Sequence, residues 1–261
     1  MNYPFVVSLP HCASTLPDHM ESLVALTREE IEDAVDHGTF EIFGSLPAAS
    51  VIKARWSRLA CDLNRDPGHR GPKGVVARTD YHGREIYKEG MYPDDTGIEQ
   101  IVASHYRPFH EALAAAIDDR SVIGLFDCHS LNGVGPMDAP DAGQARKDVI
   151  ISNNGDQRGL RNPRLGDITC PTEILQMVAD AFSRTGFSVA INDPYTGGFV
   201  TVHYGRKLVR RGGFALQVEM NQSLYADSRT SLPDSEKMKD VAARVRGVFD
   251  ELGRELIAGY K

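Results

Sequence analysis

The chain has 261 residues, of which 41% are hydrophobic and 25% charged, with a formal net charge of −7. That is the make-up of a globular protein with one core, and the acidic balance argues against nucleic acid or an anionic membrane as the main partner. No apolar run approaches the roughly 20 residues that span a bilayer, and no basic segment followed by an apolar one opens the chain, so a single cytoplasmic domain over residues 1–261 is expected.

Tyr3-Pro4-Phe5-Val6-Val7-Ser8-Leu9-Pro10-His11 is an apolar strand that ends in a histidine. Thr27-Arg28-Glu29-Glu30 is a capping box, which predicts a helix running toward residue 43 with Ile31, Val35, Phe40 and Phe43 turned inward. Asp36 and His37 fall inside that helix. Residues 49–54 read as a second buried strand, followed by the polar run Asp62-Leu63-Asn64-Arg65. Residues 66–97 are rich in Gly, Pro, Asp and charge, and a loop of that length in a compact domain is expected to act as a flap. Thr96-Gly97-Ile98-Glu99 is a second capping box, opening a helix with Ile98, Ile101, Val102, Phe109, Leu113 and Ile117 at helical spacing and a kink at Pro108.

The run Gly124-Leu125-Phe126-Asp127-Cys128-His129-Ser130 is a buried strand that switches abruptly to polar residues. Loops at 132–147 and 153–169 flank a short strand at 148–152. A helix follows from Pro171 to about 184, then a strand at 187–191 and a Gly-rich turn through Gly197 and Gly198. Phe214-Ala215-Leu216-Gln217-Val218-Glu219-Met220 is a last strand, and 233–258 a last helix. Alternating strands and helices predict an α/β fold with helices on both faces of a mixed sheet.

Ligands bind at the C-terminal edge of such sheets. The polar residues placed there are His11, Asn64, Arg65, Asp127, His129 and Glu219. Two neutral imidazoles and a carboxylate make a three-ligand zinc site, a further carboxylate can act as general base, and an Arg beside an Asn offers a fork for a carboxylate. Asp127 is placed on the strand face opposite His129, as a partner of a ligand rather than a ligand. Arg65 has an alternative in pairing with Asp62 or Asp66. The cysteines Cys12, Cys61, Cys128 and Cys170 include no CxxC pair, which fits a reducing compartment, and Cys12 or Cys128 as a nucleophile is a rival reading. His19, His69 and His82 lie in polar segments and are expected to be solvated, and His105 and His110 to lie on an amphipathic helix.

These residues form a pattern that resembles the N-formylglutamate amidohydrolase family over nearly the whole chain. The matching segments are Pro10-His11, Asp36 with Gly38, Ser57-Arg58 leading into Asp62-Leu63-Asn64-Arg65, Asp127-Cys128-His129-Ser130, Gly197-Gly198-Phe199 leading to His203-Tyr204-Gly205, and Gln217-Val218-Glu219-Met220-Asn221. The resemblance implies a three-layer α/β/α fold with a mixed, mostly parallel sheet, distantly like the zinc carboxypeptidases. It also implies one Zn2+ per chain, and a small acidic N-acyl amino acid as substrate. His11 and His129 look like the imidazole ligands and Glu219 like the general base. Asn64 and Arg65 look like the holders of the substrate's α-carboxylate, and Ser130, Gly198, His203 and Tyr204 like further pocket residues. Where zinc carboxypeptidases carry a ligand Glu three residues after the first His, this chain has Ser14, so the third ligand is expected to be Asp36, with Glu32 or Asp33 as alternatives. Cys12-Ala13 replaces the family's Ser-Gly or Thr-Gly. The implied activity is hydrolysis of N-formyl-glutamate to formate and glutamate. The rivals are another N-acyl amino acid or a peptide carboxyl end as substrate, or a non-catalytic metal-stabilised binding protein.

Overall fold

The computed structural model describes residues 3–226 and 233–259. Its centre is a six-stranded sheet in the order β2-β1-β3-β6-β4-β5. The strands are β1 (Tyr3–Leu9), β2 (Ala48–Lys53), β3 (Gly124–Leu131), β4 (Val149–Ser152), β5 (Val189–Ile191) and β6 (Phe214–Asn221). Every neighbouring pair is parallel except β4 with β6. β3 and β6 are buried along their full lengths, which is why they read as continuous apolar runs and not as alternating ones.

The helices are α1 (Asp18–Glu21), α2 (Arg28–Asp33), α3 (Thr39–Phe43), α4 (Asp95–Ile101), α5 (Arg107–Asp118), α6 (Thr172–Arg184), α7 (Phe199–Val209) and α8 (Ser235–Gly259). Neighbouring strand residues enter opposite apolar layers. Val7, Phe126 and Leu216 join Phe43 of α3, Phe182 of α6 and Phe249 of α8, whereas Val6, Leu125 and Ala215 join Leu113 of α5 and Val200 of α7. The three-layer α/β/α expectation holds for this reason: a sheet apolar on both faces must be covered twice.

Three local expectations need correction. The helix predicted from 27 to 43 is broken into α2 and α3, because Gly38 adopts a left-handed φ of 77° against the Tyr225 ring. Asp36 and His37 lie in that break, outside any helix, and Phe40 is 42% exposed under Lys53 instead of buried. The cap of α4 is Asp94, whose carboxylate accepts from the Gly97 amide at 2.8 Å, two residues before the predicted Thr96 box. At Pro108 the helix relieves the missing N–H not by a simple kink but by a turn of π-helix, Val102–Tyr106, just ahead of it.

No helix among the described residues is long and apolar enough to cross a membrane.

Candidate active site

Parallel in-register strands place chemistry at one edge. Ser8 pairs with Asp127 and Asp127 with Gln217, while His129 pairs with Glu219 one step further on. His11 follows the end of β1, so His11, His129 and Glu219 emerge side by side. Asp36 joins them from the break between α2 and α3. Its own amide donates to the His11 carbonyl at 3.1 Å, and Tyr225 holds the segment by donating to the His37 carbonyl at 2.7 Å. All four side chains are buried.

His11, Asp36 and His129 each offer a ligand atom, and these atoms lie within 4.8 Å of one another. Asp36 Oδ2 is 2.8 Å from Nδ1 of His129 and 3.5 Å from Nδ1 of His11. On the far side of the rings, His11 Nε2 donates to Asp62 at 2.8 Å, and His129 Nε2 lies 3.4 Å from Asp127 and 3.1 Å from the Asn64 amide nitrogen. A carboxylate only accepts, so Asp62 fixes the Nε2 proton of His11. The neutral ring then turns an Nδ1 lone pair toward the Asp36 oxygen, and two acceptors so placed call for a cation between them. Carboxylate-backed imidazoles of this kind are how metal ligands are oriented. The donor set therefore fits a divalent ion. Glu32 pairs with Arg28, and Asp33 pairs with His82 and Arg84, so neither alternative joins this cluster.

The carboxylates of the cluster draw positive charge, a proton on His129 or a metal ion in its place. Burial works against the imidazolium of His129, yet Asp127, Asp36 and Glu219 hold its pKa well above the usual range. Burial likewise opposes ionisation of Asp36 and Asp62, but His11 and His129 hold the first low, and Arg58 and His11 hold the second well below the carboxylate range. Glu219 goes the other way. Burial, reinforced by Asp36 and Asp127 against the pull of His129, pushes it up to about 7. A carboxylate titrating there is suited to moving protons near neutral pH.

Supporting contacts explain several sequence features. Asp127 shares its strand face with His129, as residues two apart must, which corrects the expectation of opposite faces. Its other contacts are Ser8 Oγ at 2.9 Å and Thr201 Oγ1 at 3.0 Å. Gln217, two residues before Glu219, donates to the Glu219 carboxylate at 2.8 Å and accepts from the Gly198 amide at 2.5 Å. Asn64 accepts from the Val200 amide at 2.8 Å, and a Cβ on Gly198 would come within 2.2 Å of the Asn64 amide nitrogen. Only glycine permits that approach. Arg58 lies against Asp62 at 2.8 Å and Asp36 at 3.7 Å. Arg65 is 42% exposed, with Nε 3.4 Å from Asp62.

His11, Asp36, His129, Glu219, Gln217, Asn64, Asp62, Arg58 and Arg65 line a cavity of about 450 Å³ that also takes in Ser130, Lys73, Tyr81, Arg146 and Tyr195. Ser130 Oγ donates to the His37 carbonyl at 2.9 Å and accepts from Gln222 at 3.0 Å. His203 and Tyr204 lie apart from it. They sit on α7 and not in a Gly-rich loop, His203 exposed and Tyr204 buried against His110. His110 itself is packed between Tyr106 and Tyr204 and bonded to the Leu63 carbonyl, with burial lowering its pKa to about 4, so it belongs to the scaffold. Burial pushes the Cys12 thiol up to about 11 and Cys128 well above its ordinary value, so neither is a thiolate at neutral pH. Asp62 and Gln217 are the residues that sequence reasoning undervalued. The second was readable from strand alternation; the first only from the fold, since Asp62 and His11 are 51 positions apart.

Comparison with known proteins gives a family for the chain. A family model described as N-formylglutamate amidohydrolase matches residues 3–226. The chain is 24% identical to an N-formylglutamate deformylase of Pseudomonas aeruginosa, the alignment covering 98% of this chain and 93% of that protein. It is 26% identical to one of Pseudomonas putida, with 98% and 92% covered. Among solved structures, an N-formylglutamate amidohydrolase from Ralstonia eutropha JMP134 superposes with a TM-score of 0.78 at 18% identity, over 99% of this chain and 95% of that one. A gene product from Agrobacterium tumefaciens reaches 0.69 at 18% identity, over 97% and 92%. The protein is thus an α/β amidohydrolase with a buried His-Asp-His cluster able to hold a metal. It belongs to the N-formylglutamate amidohydrolase family.

Proposed function

We propose that this chain, as one domain over residues 1–261, hydrolyses the N-formyl amide of N-formyl-glutamate to formate and glutamate. The observation that carries the reading is the meeting, in one cavity, of the His-Asp-His cluster with a buried carboxyl group poised near neutrality. His11, Asp36 and His129 would hold the ion, and two imidazoles with one carboxylate favour Zn2+. When bound, such an ion supplies Lewis acidity, polarising an amide carbonyl and lowering the pKa of water.

The chain's own residues do the rest. Glu219 takes a proton from the attacking water as the carbon–oxygen bond forms, and returns it to the amide nitrogen as the carbon–nitrogen bond breaks. Gln217 keeps the carboxylate oriented while this happens. Arg58 lies close enough to the cluster to steady negative charge developing on the carbonyl oxygen. Arg65 lines the cavity, as does Asn64, and its guanidinium fork suits the planar α-carboxylate. Ser130 and Gly198 form wall and not chemistry, since the Ser130 hydroxyl is tied to its neighbours. His203 and Tyr204 are assigned no contact with substrate. Arg78, Arg107 and Arg206 are absent from the cavity wall.

The test is formate release from N-formyl-glutamate, measured beside metal content, before and after chelation. About one zinc per chain with activity lost on chelation and restored by zinc supports the reading. Zinc without formate release, and release from N-acetyl amino acids or dipeptides instead, would move the substrate. Metal-replete protein that cleaves none of these would sink the enzyme assignment.

A further inference from the structure

We infer that Lys73 receives the second carboxylate of the substrate, and that Asp138 is the intramolecular carboxylate for which it is exchanged. The inference rests on the reading above, that the substrate is an N-formyl amino diacid.

Such a substrate brings two carboxylates into the cavity, and each needs a cation once water is removed. Among the described residues, four cations line the wall: Arg58, Arg65, Lys73 and Arg146. Arg58 is held deep in the site by Asp62 and Asp36. Arg65, beside Asn64, is the fork for the α-carboxylate. Arg146 is already satisfied. Its side chain is 3% exposed, it grips Asp141 through Nε at 2.6 Å and Nη2 at 2.8 Å, and it donates to the Tyr195 hydroxyl at 3.1 Å and the Asn132 carbonyl at 3.2 Å. Its charge is matched and four of its five N–H donors are used.

Lys73 differs on every count. Its ammonium is paired with Asp138, and the two side chains are 47% and 36% exposed. Both residues line the cavity, yet they come from loops 65 positions apart in the chain. An exposed ammonium–carboxylate pair is weak and readily exchanged. A substrate carboxylate arriving there replaces one carboxylate by another, without stranding a charge. An ammonium on a flexible stem also tolerates the varied positions of a side-chain acid, where a planar fork would not. Of the other acids that line the cavity, Asp36, Asp62 and Glu219 belong to the buried cluster and Asp33 and Asp80 are held by Arg84, which leaves Asp138 as the partner of Lys73.

The test compares N-formyl-glutamate with N-formyl-glutamine, its neutral isostere, as substrates of the metal-replete protein. Wild type should prefer the acid. In Lys73→Met, kcat/KM for the acid should fall about tenfold more than for the amide, mainly through KM, as expected for a lost charge contact at a cavity mouth. Lys73→Arg should keep much of the preference. Asp138→Asn should lower KM for the acid, because the competing carboxylate is gone. A wild type that prefers the acid and a Lys73→Met variant that prefers it equally would overturn the inference while leaving the proposed function intact. Hydrolysis of neither compound by wild type would overturn both.

Discussion

The bottom and the mouth of the cavity are built on opposite plans. At the bottom, His11, Asp36, His129 and Glu219 are buried; His11, Asp36 and His129 are fixed by partners from other elements and Glu219 by Gln217 on its own strand. At the mouth, Lys73 and Asp138 reach from two loops into a half-exposed pair. The difference follows from solvent. A buried charge left unpaired costs several kcal/mol, so the interior must over-determine its geometry. An exposed pair contributes about 0–1 kcal/mol and can be exchanged. On the proposed reading, chemistry is placed where partners fix the side chains and selection of substrate where an exposed pair can exchange.

Mutations can break that division, and the largest effects belong at the bottom. Glu219→Gln should lower kcat by about 10²–10⁴-fold while zinc content stays near wild type, since it removes a proton carrier and not a ligand. Turnover that survived the change would remove Glu219 from the mechanism. Asp62→Asn leaves the ligands in place but replaces the partner of His11 Nε2, and should weaken metal affinity about 10–100-fold in a chelator competition. Unchanged affinity would mean that His11 needs no such support.

Burial of Glu219 also predicts a pH effect on the metal-free protein. Its carboxyl is pushed up to about 7, so the folded chain keeps a proton that the unfolded chain has already released. Stability from this group is complete below the ordinary carboxyl pKa and is lost as pH rises to about 7. Melting curves of the chelated wild type and Glu219→Gln should therefore diverge in favour of the variant up to about pH 7 and run parallel beyond. A constant difference across that range would show that the carboxylate is not desolvated. Smallest of all is the mouth. Asp138→Ala should change unfolding stability by less than about 1 kcal/mol in a denaturant titration. A larger loss would make the pair structural and erase the contrast.

Much of this was legible in the sequence because it is local. β1, β3 and β6 are apolar runs that end in polar residues, and a parallel sheet sends those ends to one edge. That points His11, His129 and Glu219 to the same edge. Gln217 follows from strand alternation. Asp36 stands in the expected neighbourhood on a different local structure: a capping box and apolar spacing predict one helix, but α2 stops at Asp33, and a left-handed Gly38 packed on Tyr225 keeps α3 from continuing it. Helix α7 was hidden behind Gly197 and Gly198, and its Val, Thr and aromatic residues are weak helix formers that tertiary packing made helical. His203 and Tyr204 went to the wrong place with it.

What the sequence determined by itself is the sheet, its two covered faces, and the edge at which imidazoles and carboxylates gather, since periodicity and strand direction are properties of short segments. Tertiary structure decided the partners. Asp36 meets His129 across 93 positions, and Lys73 meets Asp138 across 65. It also raised the pKa of Glu219, because desolvation depends on everything packed around a group and is written in no single stretch of chain.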